Sequence, residues 1–151
     1  SFGYNLAKCS ALGKKGILMF APQTRILIAD DMMTMRKIVI KCLKELGYTD
    51  VQDAADGNIA WDLLQKSSPP IQLVISDWNM PNCSGLEFLR RVRTDPTKAS
   101  IPFMMLTAEV EKQQVIEAIK AGVTNYCIKP FTPDIFRQKL EETYKKATGA
   151  K

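Results

Sequence analysis

A chain of 151 residues, 46% hydrophobic and 25% charged, has the composition of one globular domain, with no apolar run near the ~18 residues a membrane helix needs. Histidine is absent, which excludes a Ser-His-Asp triad, a histidine metal site and an internal histidine phosphodonor together, so any phosphoryl group must come from another molecule. The formal net charge of +5 takes three units from Lys8, Lys14 and Lys15; the other 18 basic and 16 acidic residues are interleaved, with no nucleic-acid-binding signature, so neither nucleic acid nor a membrane is an expected partner.

Residues 1–22, SFGYNLAKCSALGKKGILMFAP, show weak periodicity, and Ile17–Ala21 is too short for a signal-peptide core. They read as an added or flexible extension, with Met19 a candidate natural start, ahead of a domain over 23–148 and a tail over 149–151. From Thr24 onward five short β-rich runs, RILIA, VQDAA, IQLVIS, PFMMLT and NYCIK, are each followed, turn residues apart, by a helical segment. In the first helix Met35, Ile38, Val39, Cys42, Leu43 and Leu46 make one apolar stripe that Gly47 ends. Asp56-Gly57 has the form of a hairpin turn, but Ala60, Leu63 and Leu64 behind it have helical spacing, so a helix is expected there. The same spacing recurs in Leu86, Leu89 and Val92, in Val115, Ala118, Ile119 and Gly122, and in Phe136, Leu140 and Tyr144. The cysteines Cys9, Cys42, Cys83 and Cys127 are widely spaced without a CxxC, which suits reduced thiols and a cytoplasmic protein.

Five βα units predict an α/β fold with a parallel, doubly wound sheet and helices on both faces. Ligands of such sheets bind outside the carboxyl ends of the strands, where strand order reverses. The residues at those ends are Asp30 and Asp31 after strand 1, Asp77 after strand 3, Thr107 after strand 4 and Lys129 after strand 5. Singly, Asp31 and Thr107 read as helix caps and Lys129 as a solvated loop lysine; together they read as one site. Three carboxylates in one cleft repel by about 4 kcal/mol per pair at ~4 Å and an effective dielectric of about 20. Lys129 offsets part of this, and a hard divalent cation with oxygen ligands, Mg2+, offsets more. Asp77, on the central strand, is then the natural nucleophile for a phosphoryl group, whose oxygens the cation, Lys129 and the Thr107 hydroxyl would neutralise.

The paired Asp30-Asp31, SDWNMPNCSGLEFL, LTAE and YCIKPF, in that order over roughly residues 24–147, resemble the receiver domain of two-component response regulators, and most closely the stand-alone chemotaxis regulators. The resemblance implies a flavodoxin-like five-stranded sheet of order 2-1-3-4-5 with five helices. It implies Asp77 as phosphoacceptor, Asp31 as a direct Mg2+ ligand, Asp30 as holder of a metal-bound water, and Asp77 and the Asn79 backbone carbonyl as further metal contacts. Lys129 would pair with the phosphoryl group, and Pro130 makes Lys129-Pro130 a cis-peptide candidate. Thr107 would be the switch hydroxyl and Tyr126 the aromatic that turns inward on activation, although Tyr126 reads equally as a strand aromatic packed on a helix. Asn79 and Glu109 match positions that tune access of water to the acyl phosphate, and Trp78 is a packing residue placed to report the site by fluorescence.

By the same resemblance the chain is a single-domain response regulator, not an enzyme beyond self-phosphorylation from phosphodonors and autodephosphorylation. It would take its phosphoryl group from a chemotaxis-type histidine kinase and remodel the face of strands 4–5 and their helices to dock, as a monomer, on a flagellar motor switch protein, with a phosphatase as a further partner. No output domain follows Lys146, so docking is the expected output. The alternative is a phosphorelay intermediate or a stand-alone receiver of another two-component pathway. Two features depart from the family pattern: Cys83-Ser84 stands where relatives often carry an acidic residue before the glycine, and the basic extension is additional. A flavodoxin-like flavin carrier needs a glycine- and hydroxyl-rich loop where this chain has ADDMMTMR, and a haloacid-dehalogenase-type phosphatase wants a second aspartate where this chain has Asn79.

Overall fold

The β-rich runs are short, and nearly every residue in the three central ones is apolar, as strands covered on both faces require. The computed structural model describes residues 19–108 and 111–149. Its strands are β1 (Ile26–Ala29), β2 (Val51–Ala54), β3 (Leu73–Ser76), β4 (Phe103–Thr107) and β5 (Asn125–Ile128). Its helices are α1 (Met33–Glu45), α2 (Gly57–Lys66), α3 (Gly85–Thr94), α4 (Lys112–Lys120) and α5 (Pro133–Thr148). The strands form one parallel sheet in the order β2-β1-β3-β4-β5, as expected.

Alternation along each strand divides the core in two. Ile26, Ile28, Leu73, Ile75, Met104 and Leu106 face α1 and α5, which return Val39, Leu43, Phe136 and Leu140. Leu27, Val74, Phe103 and Met105 face the other way, against Ala60 and Leu64 of α2, Leu89 and Val92 of α3, and Ala118 of α4. Leu43 is fully buried, and removing such a side chain from water contributes about 1.5–3 kcal/mol.

Local chemistry sets the helix ends. After α1, Gly47 takes φ +99° while Tyr48 N–H donates to Leu43 O and Gly47 N–H to Lys44 O; Gly122 repeats the arrangement after α4. Asp56 caps α2 through Ile59 N–H, so Asp56-Gly57 opens a helix and not a hairpin. Ser84 and Glu87 form a reciprocal capping box on α3, and Thr132 with Pro133 opens α5.

Three placements differ from the sequence reading. Ile38, assigned to the α1 stripe, is 48% exposed, while Ile40 is partly buried against the core; the buried arc spans about one-third of the helix and turns its other edge inward. Ile119 of α4 is likewise exposed beside a buried Ala118. Met19 and Phe20, assigned to the extension, are buried: Phe20 meets Tyr144 edge-on at 5.1 Å, and its carbonyl accepts from Tyr48 Oη at 2.6 Å. Packing therefore starts at least four residues before position 23.

Candidate functional site

The hydrogen-bond ladder of the sheet continues one residue past the strands and fixes the backbone of the acidic residues. Asp30 N–H donates to Ala54 O at 3.0 Å, tying the end of β1 to β2, and Asp77 N–H donates to Ala29 O at 2.8 Å, tying β3 to β1. On the other side Lys129 N–H donates to Thr107 O at 2.9 Å, which brings the end of β5 against β4. Strand ends held this way aim their side chains from one rigid edge.

Carboxylate oxygens of Asp30, Asp31 and Asp77 lie within 4.8 Å of one another. Asp30 and Asp77 are buried and Asp31 is exposed. Lys129 Nζ reaches between the two buried carboxylates, 2.8 Å from Asp30 Oδ2 and 3.3 Å from Asp77 Oδ2. The remaining oxygens of the buried pair meet backbone donors, Met32 N–H on Asp30 Oδ1 at 2.9 Å and Trp78 N–H on Asp77 Oδ1 at 2.7 Å. With the carboxylates ionised, three negative charges face one lysine, and the cluster is left two negative charges in excess. Hard oxygen donors carrying that excess fit a hard divalent cation such as Mg2+. Thr107 is buried at the end of β4, Tyr126 is half-buried on β5 against the α2–α4 side of the core, and the Lys129-Pro130 peptide bond is cis. Glu109 lies outside the described residues.

Asn79 is exposed on the loop after β3 and, with Asp31, Trp78, Met80, Pro81 and Ser84, lines a pocket of about 390 Å³ beside the cluster. That loop turns sharply back toward the sheet. Gly85 N–H donates to Trp78 O at 2.8 Å, and a Cβ on Gly85 would stand 2.0 Å from the Asp77 carbonyl oxygen, so only glycine admits α3 this close to the site.

Residue-type reasoning missed several supporting groups. Arg36, one turn into α1, donates through Nη1 to the Asp30 carbonyl at 2.8 Å and through Nε to Asp53 Oδ2 at 2.6 Å, linking the acidic loop to the end of β2. Asp56 and Asn82 join the β3–α3 loop to the start of α2. The sequence carried a signal for two supports: Ser84-x-x-Glu87 is a capping box, and Asp56 before a helical pattern is an N-cap. It carried none for Arg36, whose partners are distant along the chain.

The response regulator receiver domain family model matches residues 26–141. The chain belongs to this family. The receiver is 43% identical over 125 residues to the chemotaxis protein CheY homolog of Campylobacter jejuni, covering 83% of this chain and 95% of that protein. It is 44% identical over 117 residues to chemotaxis protein CheY1 of Helicobacter pylori, covering 78% and 94%. Among solved structures, chemotaxis protein CheY4 of Vibrio cholerae superposes with a TM-score of 0.74 at 33% identity, over 80% of this receiver and 98% of that chain. The chain is thus a receiver closely related to the CheY chemotaxis proteins, and none of its described helices is long and apolar enough to cross a membrane.

Proposed function

We propose that this receiver is a stand-alone, cytoplasmic chemotaxis response regulator phosphorylated on Asp77. The observation that carries the reading is the excess of charge at the strand ends, three convergent carboxylates served by a single lysine. Asp77 is the carboxylate suited to react, because it ends the central strand, its backbone is fixed by Ala29, and only glycine fits behind its carbonyl.

In the proposed transfer an Asp77 carboxylate oxygen attacks the phosphorus of a phosphohistidine on a kinase. The P–N bond breaks, its electron pair stays on the imidazole nitrogen, and that nitrogen takes up a proton. Asp30, Asp31, Asp77 and the Asn79 carbonyl would hold Mg2+, which when bound neutralises charge on the phosphoryl oxygens. Lys129, already at Asp77, exchanges a carboxylate oxygen for a phosphoryl oxygen, and the Thr107 hydroxyl donates to another. Movement of Thr107 toward the phosphoryl group makes room for Tyr126, and the β4–β5 face changes its affinity for a flagellar motor switch protein. Hydrolysis of the acyl phosphate, with Asn79 and Glu109 tuning access of water, resets the chain without any other turnover.

The test follows Trp78, buried at the site, in a Trp61→Phe background during titration with Mg2+ and then beryllofluoride, a phosphoryl mimic. Saturable responses to both are expected, with the beryllofluoride response and acetyl phosphate labelling lost in Asp77→Asn. Labelling of Asp77→Asn to the level of the parent chain would reject Asp77 as acceptor.

A further inference from the structure

The loop from Asp77 to Ser84 is held at both ends, and its far end is held by the junction between β2 and α2, which contributes no residue to the acidic cluster. Asp56, two residues beyond β2, divides its carboxylate between two tasks. Oδ1 accepts from Ile59 N–H at 2.9 Å and caps α2, while Oδ2 accepts from Asn82 Nδ2 at 2.9 Å. Asn82 sits in the left-handed region at φ 68°, the only non-glycine residue there among those described. Alongside, Gly57 N–H donates to Cys83 O at 3.2 Å, in a contact so close that a Cβ on Gly57 would lie 2.7 Å from that oxygen.

We propose that Asp56 and Asn82 are a positioning pair that sets the Asn79 segment for cation binding, a proposal resting on the reading of the acidic cluster as a Mg2+ site. A loop that must order itself on binding loses affinity for every residue it fixes. The Asn82–Asp56 bond fixes the loop in the folded chain beforehand, so that order is met by folding and not by binding. Asp56 acts only through Asn82. Its carboxylate stands outside the group of three, and both its oxygens are engaged by N–H donors, so it holds the loop without competing for the ion.

The bond can be removed without touching the cap. Asn82→Gly tolerates the positive φ and removes the side chain that carries the Nδ2 donor, leaving Asp56 Oδ1 on Ile59. In Mg2+ titrations of the full chain read by Trp78 fluorescence, the dissociation constant of Asn82→Gly should rise about tenfold, the low end of what loss of an outer partner costs a metal site. Its amplitude at saturation and its unfolding midpoint in chelator should stay close to those of the parent. Asp56→Asn keeps a bond, because the Asn82 amide can turn its oxygen toward the new donor, and should weaken binding less than Asn82→Gly does. The exchange Asp56→Asn with Asn82→Asp reverses donor and acceptor and should restore affinity to within about twofold. Unchanged affinity in Asn82→Gly, or no rescue by the exchange, overturns the proposal while the Mg2+ reading stands. A parent chain that gives no saturable response overturns both.

Discussion

Lys129 and Asp31 should act on stability with opposite signs. Lys129 is the only cation within salt-bridge distance of Asp30 and Asp77 among the described residues, and all three side chains are nearly enclosed. Lys129→Met leaves two buried carboxylates facing each other, and breaking a buried pair in this way costs about 3–5 kcal/mol. Asp31 is exposed and forms no ion pair among the described residues. Its repulsion is screened by water to about 1 kcal/mol per neighbour at contact distance, so Asp31→Asn should raise stability in chelator by about that amount. Urea unfolding in chelator and in Mg2+ checks both: Mg2+ should stabilise the parent more than Asp31→Asn, and Lys129→Met should be least stable in chelator. A lower midpoint for Asp31→Asn in chelator would mean that the three carboxylates do not repel as placed.

The elements show which features a linear pattern carries. The alternation of strands and helices, the strand-end position of Asp30, Asp31, Asp77, Thr107 and Lys129, and the stripes of α3 and α5 were legible because strand and helix periods mark buried faces and the chemistry falls where a strand stops; strand order came only from the resemblance to receivers. Ile38 and Ile119 were not, since a period gives the width of an apolar arc but not which edge its neighbours cover. Arg93 was invisible for a further reason. From α3 it donates to the carbonyls of Gly122, Ala99 and Ile101 and to Thr124 Oγ1, stapling the loops that enter β4 and β5 at the end of the sheet away from the site. No spacing rule links these positions. Burial lowers its pKa, with no carboxylate partner to oppose this, yet a guanidinium stays charged at any working pH. Arg93→Leu strands those carbonyls and should cost about 2–3 kcal/mol in urea unfolding. Because these loops enter the opposite ends of the strands, its Mg2+ affinity should match that of the parent. A weakened Mg2+ response would mean that the two ends of the sheet are coupled.

At the scale of the whole molecule, two apolar layers on a thin sheet leave three buried free thiols among the described residues, Cys42 and Cys127 on the α1–α5 side and Cys83 on the other. Burial pushes all three up from the ordinary value of 9.0, Cys127 furthest, to about 11. The folded chain therefore keeps these protons at a pH where the unfolded chain releases them, and release favours unfolding. Stability from this source is complete below pH 9 and declines as pH rises toward about 11, where the folded Cys127 thiol itself ionises. Denaturant midpoints should fall across that window, and Cys127→Ala should flatten the slope there whatever it does to the absolute midpoint. The same burial makes labelling by a thiol reagent a clock for opening of the fold. At pH 8, in a Cys9→Ser background, the three thiols should react slowly, and increasing the reagent should stop accelerating Cys127 once opening of the core limits the rate. Rapid labelling of Cys127, proportional to reagent throughout, would place that side chain at the surface and contradict the packing of β5 against α5.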